Sequence, residues 1–289
     1  MNRLTDLIAS GSLEMFPRDA ALARAASKLL APGTRVYVPF LPKQPLDALL
    51  DTARALRAAA FEPVPHMAAR RIDSRQSLRR FLQHAVRDAG VRRLMLVAGD
   101  LPEPLGPYAD SLALLREGAL AEAGVREVGI AGYPEGHPRI GQQALDQAFA
   151  AKVALACAQG LRVHVVTQFS FAPARIVEYC ASLARRAPGV PVYAGVVGPT
   201  GLLTLLKYAQ RCGVSVSLRA LRGLGLNAAK LAQHADPTTQ IAAIAGNSGH
   251  PPPANIVGVH LFTFGGFLRC AQWVNAVLAE GGRSLRQRA

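Results

Sequence analysis

Eight short β-type runs alternate along this chain with longer stretches rich in Ala, Leu and Arg, and no other feature constrains the fold as strongly. The runs are residues 11–16, 35–40, 62–67, 93–98, 127–133, 162–169, 191–197 and 256–262. Residues 47–60, 74–88 and 111–123 carry helical patterns. In the first of these, Leu46, Leu49, Leu50, Ala53, Leu56 and Ala60 recur at intervals of three and four, which puts them on one helix face. Asp73–Ser74 and Pro199–Thr200 are helix-start signals. Alternation of this kind, with no break in composition, calls for one parallel sheet covered by helices. Eight strand–helix units fit closure into a (β/α)8 TIM barrel. The 289 residues therefore read as one α/β domain, since barrels of about 250 residues form single domains. A ninth β-like run, residues 214–218, fits an extended connection, and the Gly/Pro stretch 246–254 reads as a loop.

Half of the residues are hydrophobic, enough for a large core. The apolar runs fall far short of the roughly 20 residues a membrane span needs, and residues 1–10 carry no apolar segment of the secretory type. A soluble cytoplasmic protein is expected. Cys157, Cys180, Cys212 and Cys270 are far apart and form no CxxC pair, so reduced, buried thiols are expected, with no metal site.

The 33 basic and 19 acidic residues leave a net charge of 33 − 19 = +14, which raises nucleic acid as a partner. The cations are nearly all arginines at helical spacing, as in Arg70, Arg71, Arg75, Arg79, Arg80 and Arg87. No RNP, zinc-finger or helix-turn-helix pattern accompanies them, so nucleic acid is not expected. An arginine-rich solvated surface and attraction of an anionic ligand are both open readings.

In a barrel of this kind the chemistry sits at the C-terminal ends of the strands. Polar residues collect there: Glu14, His66, Asp100, Tyr133, His137, Gln168 and His260. The most specific segment is Ala131-Gly132-Tyr133-Pro134-Glu135-Gly136-His137-Pro138. Its prolines stiffen a turn, its glycines allow close backbone approach, and Tyr and His supply a flat face and hydrogen bonds. Read bare, it could also be a rigid βα loop with a capping histidine.

This string resembles the signature after the fifth strand of the methylenetetrahydrofolate reductases, and other motifs match in the same order. Ser12-Leu13-Glu14-Met15-Phe16-Pro17, Pro65-His66, Gly99-Asp100-Leu101-Pro102, Thr167-Gln168-Phe169 and His260-Leu261-Phe262-Thr263 are similar to the family's strand-end motifs. The resemblance implies FAD as cofactor and a folate as substrate, with NAD(P)H or another electron carrier as partner. It makes Glu14 the general acid and sets Asp100 between flavin and pterin. It assigns Phe40, His66, Gly99, Tyr108, Tyr133, His137 and Lys152, with Asp100, to cofactor binding. Gln168, Thr204 and Tyr208 fall to the substrate. A homo-oligomer is left open.

The chemistry implied is coherent. Opening the five-membered ring of 5,10-methylenetetrahydrofolate to an iminium needs an acid for the departing N10. A carboxyl group at a partly desolvated barrel mouth suits that task, and Glu14 sits between Leu13 and Met15. Asp100 would offer a fixed negative charge to the iminium; its bland alternative is a cap on the following helix. Gln168 carries both a donor and an acceptor for the amide-like edge of a pterin. Thr204 and Tyr208 stand one helical turn apart where the family has Gln and Phe, and Tyr208 serves equally well as an ordinary core position.

The departures from the family cluster. Ala98 replaces the Arg before Gly-Asp, Pro39-Phe40 replaces Thr-Tyr, Lys152 is what remains of a Lys-rich stretch, and Gly265-Gly266 replaces Asn-Arg. They weaken NAD(P)H use more than folate binding, and so favour another donor or oxidation of methyltetrahydrofolate. The competing readings are a flavin-free pterin barrel that passes a methyl group to or from tetrahydrofolate, and a non-enzymatic basic barrel.

Overall fold

The computed structural model describes residues 3–201, 204, 208, 236–247 and 255–286. Eight parallel strands close in chain order: β1 (Ser12–Glu14), β2 (Arg35–Val38), β3 (Glu62–Ala68), β4 (Arg93–Val97), β5 (Glu127–Gly132), β6 (Arg162–Thr167), β7 (Val192–Val197) and β8 (Ile256–Phe262). The barrel shuts where β8 pairs with β1 through Ser12↔His260 and Leu13↔Leu261. The described helices are α1 (Arg3–Ala9), α2 (Ala23–Ala26), α3 (Leu46–Ala58), α4 (Arg75–Asp88), α5 (Ser111–Arg116), α6 (Ala119–Glu122), α7 (Gln142–Ala158), α8 (Pro173–Arg186), α9 (Thr238–Asn247) and α10 (Phe267–Arg286).

Period-two alternation divides the strands between two cores. Leu13, Val36, Leu94, Leu96, Val128 and Leu261 belong to the large core under the helices. Tyr37, Val64, Met95, Val166 and Tyr193 form a second, smaller core inside the barrel. The polar strand residues Ser12, Glu14, His66, His164 and His260 share the parity of the inner set, so one strand both fills the wall and presents chemistry within it.

Local chemistry sets most boundaries. Ser74 caps α4 by accepting from Ser77 N–H at 3.1 Å. The expected strand 11–16 is shorter because Pro17 opens a 3-10 turn, Pro17–Leu22, although Met15 N–H still donates to Tyr37 O at 2.8 Å. The helix expected over 111–123 is two helices, because Gly118 at φ 74° is left-handed and interrupts the helical turn. Cys180 and Cys270 are buried as expected, whereas Cys157 is exposed on α7. The run 214–218, Cys212, residues 248–254 of the Gly/Pro stretch and most of the helix after Pro199–Thr200 lie outside the described residues; Gly246 and Asn247 end α9. Among the described residues no helix is long and apolar enough to cross a membrane.

Candidate active site

The C-terminal strand ends enclose a cavity of about 180 Å³. Glu14, His66, Gln168 and His260 give it polar groups, Met95, Val97, Val166 and Phe262 give it apolar wall, and Tyr37 and Tyr133 also line it. Of the residues expected from sequence, the cavity brings together Glu14, His66, Tyr133 and Gln168.

Glu14 ends β1 and is 7% exposed. Its carbonyl oxygen accepts from Thr263 Oγ1 at 3.0 Å, and its Oε1 lies 3.9 Å from His260 Nε2. The other ring nitrogen of His260, Nδ1, is 2.8 Å from Ser12 Oγ. Across the cavity, His66 Nε2 is buried without a hydrogen-bond partner. Burial pushes the His66 imidazole down to about 4; nearby Glu14 opposes that shift and His260 adds to it. His66 is therefore neutral at pH 7, with one polar atom left for a ligand.

Below the cavity, Tyr37 and His164 are fully buried. Tyr37 Oη and His164 Nε2 are 2.8 Å apart, and His164 Nδ1 lies 2.8 Å from Glu127 Oε1. Arg93 and Arg162 approach the same carboxylate at 3.0 and 3.2 Å. Burial pushes the Glu127 carboxyl up, but His164, Arg93 and Arg35 outweigh that and hold it at about 2. Burial lowers His164. With the proton on Nδ1, Nε2 accepts from Tyr37, while Nδ1 meets Glu127 as a close polar contact without the geometry of a hydrogen bond. Sequence reading missed this axis, because Tyr37 and His164 are 127 residues apart.

The remaining expected residues lie at the rim or away from it. Asp100 is 57% exposed and pairs with Arg71 Nη2 at 2.5 Å and Nε at 3.1 Å. It does not cap the following helix. Asp110 does, accepting from Ala113 N–H at 2.8 Å. Arg71, grouped by sequence with the solvated arginines, has a side chain only 9% exposed, and its guanidinium lies 5.9 Å over the Phe40 ring. Gly99, at φ 96°, turns the chain between β4 and Asp100. Tyr108 is buried in the large outer core, outside the cavity lining.

Tyr133 and His137 meet edge to face, centroids 5.0 Å apart. His137 Nδ1 accepts from Arg139 N–H at 3.2 Å. Tyr133 also faces a small cleft of about 40 Å³ beside α7 and α8, where Lys152, Phe149 and Tyr179 lie with the ion pair of Asp146 and Arg186. Burial lowers Lys152, with Asp110 opposing. Thr204 is helical and half-buried. Tyr208 stacks on Phe264 at 4.2 Å and 10°, and Phe264 in turn stacks near Phe262 at 6.3 Å. Tyr208 thus reaches the cavity wall through Phe264, which sequence reading did not select, and Phe262 of the last strand's motif. Among the described residues no group of His, Cys, Asp and Glu is arranged to hold a metal ion.

The family model described as methylenetetrahydrofolate reductase matches residues 50–225. That span contains His66, Asp100, the Tyr133–His137 loop and Gln168; Glu14 and His260 lie outside it. Among solved structures, the chain is similar to a dihydropteroate synthase from Thermus thermophilus in complex with 6HMPPP. The two are 16% identical, 92% of this chain and 91% of that one are covered, and the TM-score is 0.46. It is also similar to the 3-dehydroquinate dehydratase of Aquifex aeolicus, at 9% identity, 69% and 85% coverage and a TM-score of 0.43. Neither likeness bears on the reaction.

Proposed function

The chain belongs to the methylenetetrahydrofolate reductase family, an oxidoreductase family of folate metabolism, and from that premise we propose that it interconverts 5,10-methylenetetrahydrofolate and 5-methyltetrahydrofolate by hydride transfer at FAD. The observation that carries the reading is the position of Glu14. A carboxyl group 7% exposed lines the strand-end cavity together with His66 and Gln168.

The residues present fit the flavin. His66 Nε2 is a buried polar atom without a partner, beside apolar walls and the Tyr133–His137 ring pair. His66, Tyr133 and His137 would hold the ring system, with Phe40 and Gly99 at the rim. Lys152 would neutralise phosphate from the neighbouring cleft, whose other cation, Arg186, is paired with Asp146. When bound, FAD supplies the hydride chemistry.

Within this reading Glu14 gives its proton to N10 as the folate ring opens. Gln168 offers a donor and an acceptor to the pterin edge. Asp100 contributes negative charge from the rim, partly neutralised by Arg71. Thr204 and Tyr208 bound the substrate side, with Tyr208 working through its stack on Phe264. Gly265-Gly266 replaces the Asn-Arg pair that lies near the NADH and folate position in the family, while Ala98 removes one cationic contact to FAD and Pro39-Phe40 departs from the family's Thr-Tyr; together these departures weaken NAD(P)H use more than folate binding. They support either another electron carrier or net oxidation of methyltetrahydrofolate.

Reconstitution tests the reading. Protein given FAD should show a bound-flavin spectrum, and Glu14→Gln should keep the spectrum and lose folate turnover. A protein that takes up no flavin but transfers a methyl group from methyltetrahydrofolate would establish the flavin-free alternative. Stopped-flow mixing with NADH, NADPH and methyltetrahydrofolate identifies the donor; rapid bleaching by NADH would remove the case for a different carrier.

A further inference from the structure

We propose that Arg18 binds the glutamate carboxylate of the folate substrate, at the outer end of a row of aromatic rings that leads away from Glu14. The inference rests on the reading of a folate as substrate with its N10 at Glu14. In such a molecule N10 carries a benzoyl ring, and that ring carries a glutamate whose carboxylates are ionised at neutral pH. Tyr37 and His164 fill the barrel floor, so ring and glutamate leave Glu14 toward the mouth. A flat apolar surface followed by a cation is the complement they require.

The seam between β1 and β8 offers those two features in that order. Thr263 Oγ1 donates to the Glu14 carbonyl at 3.0 Å, which ties the stretch after β8 to the acid. Phe262 lines the cavity, Phe264 is the next stacked ring at 6.3 Å and 28°, and Tyr208 lies on Phe264. A tight turn follows, closed by Gly266 N–H donating to Thr263 O at 2.8 Å. Arg18 lies against this turn: a Cβ on Gly265 would stand 2.8 Å from Arg18 Nη2 and 3.6 Å from the Phe16 ring. Gly265, at φ 86°, therefore supplies both the turn and the space. Gly265-Gly266 stands where the family motif has Asn-Arg, and the missing side chain at Gly265 admits a guanidinium from the β1 side.

Arg18 is steadied there without being neutralised. Its guanidinium carbon lies 4.9 Å over the ring of Phe16, a buried residue, and such a contact restrains an otherwise mobile side chain. Asp19 is its one ion partner among the described residues, reached through Nε at 3.9 Å. The side chain is 64% exposed, which leaves it accessible to an incoming carboxylate, and a guanidinium can take such a group through two parallel hydrogen bonds. Exposure also sets the size of the effect, because water screens the pair.

The test is a calorimetric comparison of 5-methyltetrahydrofolate with 5-methyltetrahydropteroate, the same molecule without its glutamate. FAD-loaded protein is reduced with dithionite beforehand, so that no hydride moves during the titration. The parent protein should bind the glutamate-bearing compound about fivefold more tightly at low salt, and added salt should shrink that preference. Arg18→Met should abolish the preference by weakening the folate alone, and Arg18→Lys should keep most of it. Arg24→Met, which removes the same charge from an exposed position on α2, should leave it whole. A preference that survives Arg18→Met, or an equal loss for both compounds, would overturn the assignment. The same loss in Arg24→Met would trace the preference to net charge and overturn it too. Equal affinity for both compounds in the parent protein would remove the role of Arg18 alone, whereas protein that binds neither would remove the folate reading and Arg18 with it.

Discussion

The guanidinium of Arg71 holds the Asp100 carboxylate through two nitrogens, Nη2 at 2.5 Å and Nε at 3.1 Å. The arginine is nearly buried and the aspartate largely exposed, so the two partners stand to lose different amounts. Removing the aspartate leaves a desolvated cation without its counter-charge. Solvent at Asp100 screens the pair and limits the cost. Asp100→Asn should lower folding stability by about 1 kcal/mol, and Arg71→Met should be closer to neutral. Urea unfolding of both variants measures the asymmetry. A larger loss for Arg71→Met would reverse it.

Gly132 ends β5 where the phenol of Tyr179 crosses it. A Cβ there would sit 2.9 Å from both Tyr179 Cε1 and Oη, and the Tyr133 backbone hydrogen-bonds that hydroxyl. Gly132→Ala should therefore displace Tyr179 and the loop it steadies, at about 1–3 kcal/mol. Thermal unfolding reads the loss. Combining it with Tyr179→Leu should recover part of the stability, because the shorter side chain vacates the contact.

Two groups give stability distinct pH windows. His66 is depressed to about 4 from 6.5, so below pH 6.5 the unfolded chain takes up a proton that the folded one refuses. Stability should fall as pH drops from about 6.5 to 4, and His66→Asn should flatten that segment. Glu127 is depressed to about 2 from 4.5. Its contribution is complete above 4.5 and is lost as pH falls toward 2, so Glu127→Gln and the parent protein should converge there. Denaturation series at pH 7, 5.5, 4.5 and 3 separate the two windows. A His66→Asn curve parallel to the parent between pH 6.5 and 4 would contradict the first.

Tyr208 lies flat on Phe264. An aromatic pair of this kind contributes about 0.5–1.5 kcal/mol beyond its area. Tyr208→Phe should keep folate affinity, and Tyr208→Ala should weaken it about tenfold, which calorimetric titration with methyltetrahydrofolate checks.

The barrel was legible because alternation in the strands and three-to-four spacing in the helices are local properties of the chain. Glu14, His66, Tyr133 and Gln168 were legible for a related reason: each stands within two residues of a strand's C-terminal end, where parity and topology fix its direction. What escaped depends on partners distant in sequence. Arg71 looks like its solvated neighbours until the β4 turn brings Asp100 against it. The bond between Tyr37 and His164 joins β2 to β6, and no spacing announces it. Tyr108 follows the same logic in reverse, since its loop returns the ring to the outer core. Phe264, at φ 50°, lies just past the strand and owes its role to the ring it meets.

Tyr37 and His164, with no exposed surface, and the Glu127–Arg93 pair beneath them close the barrel from below. Whatever reaches Glu14 arrives through the same doorway by which it leaves. In the proposed reaction, electron donor and folate would share that doorway among the described residues, so each would have to leave before the other came in. A sealed floor would thereby impose an alternation that no individual side chain encodes.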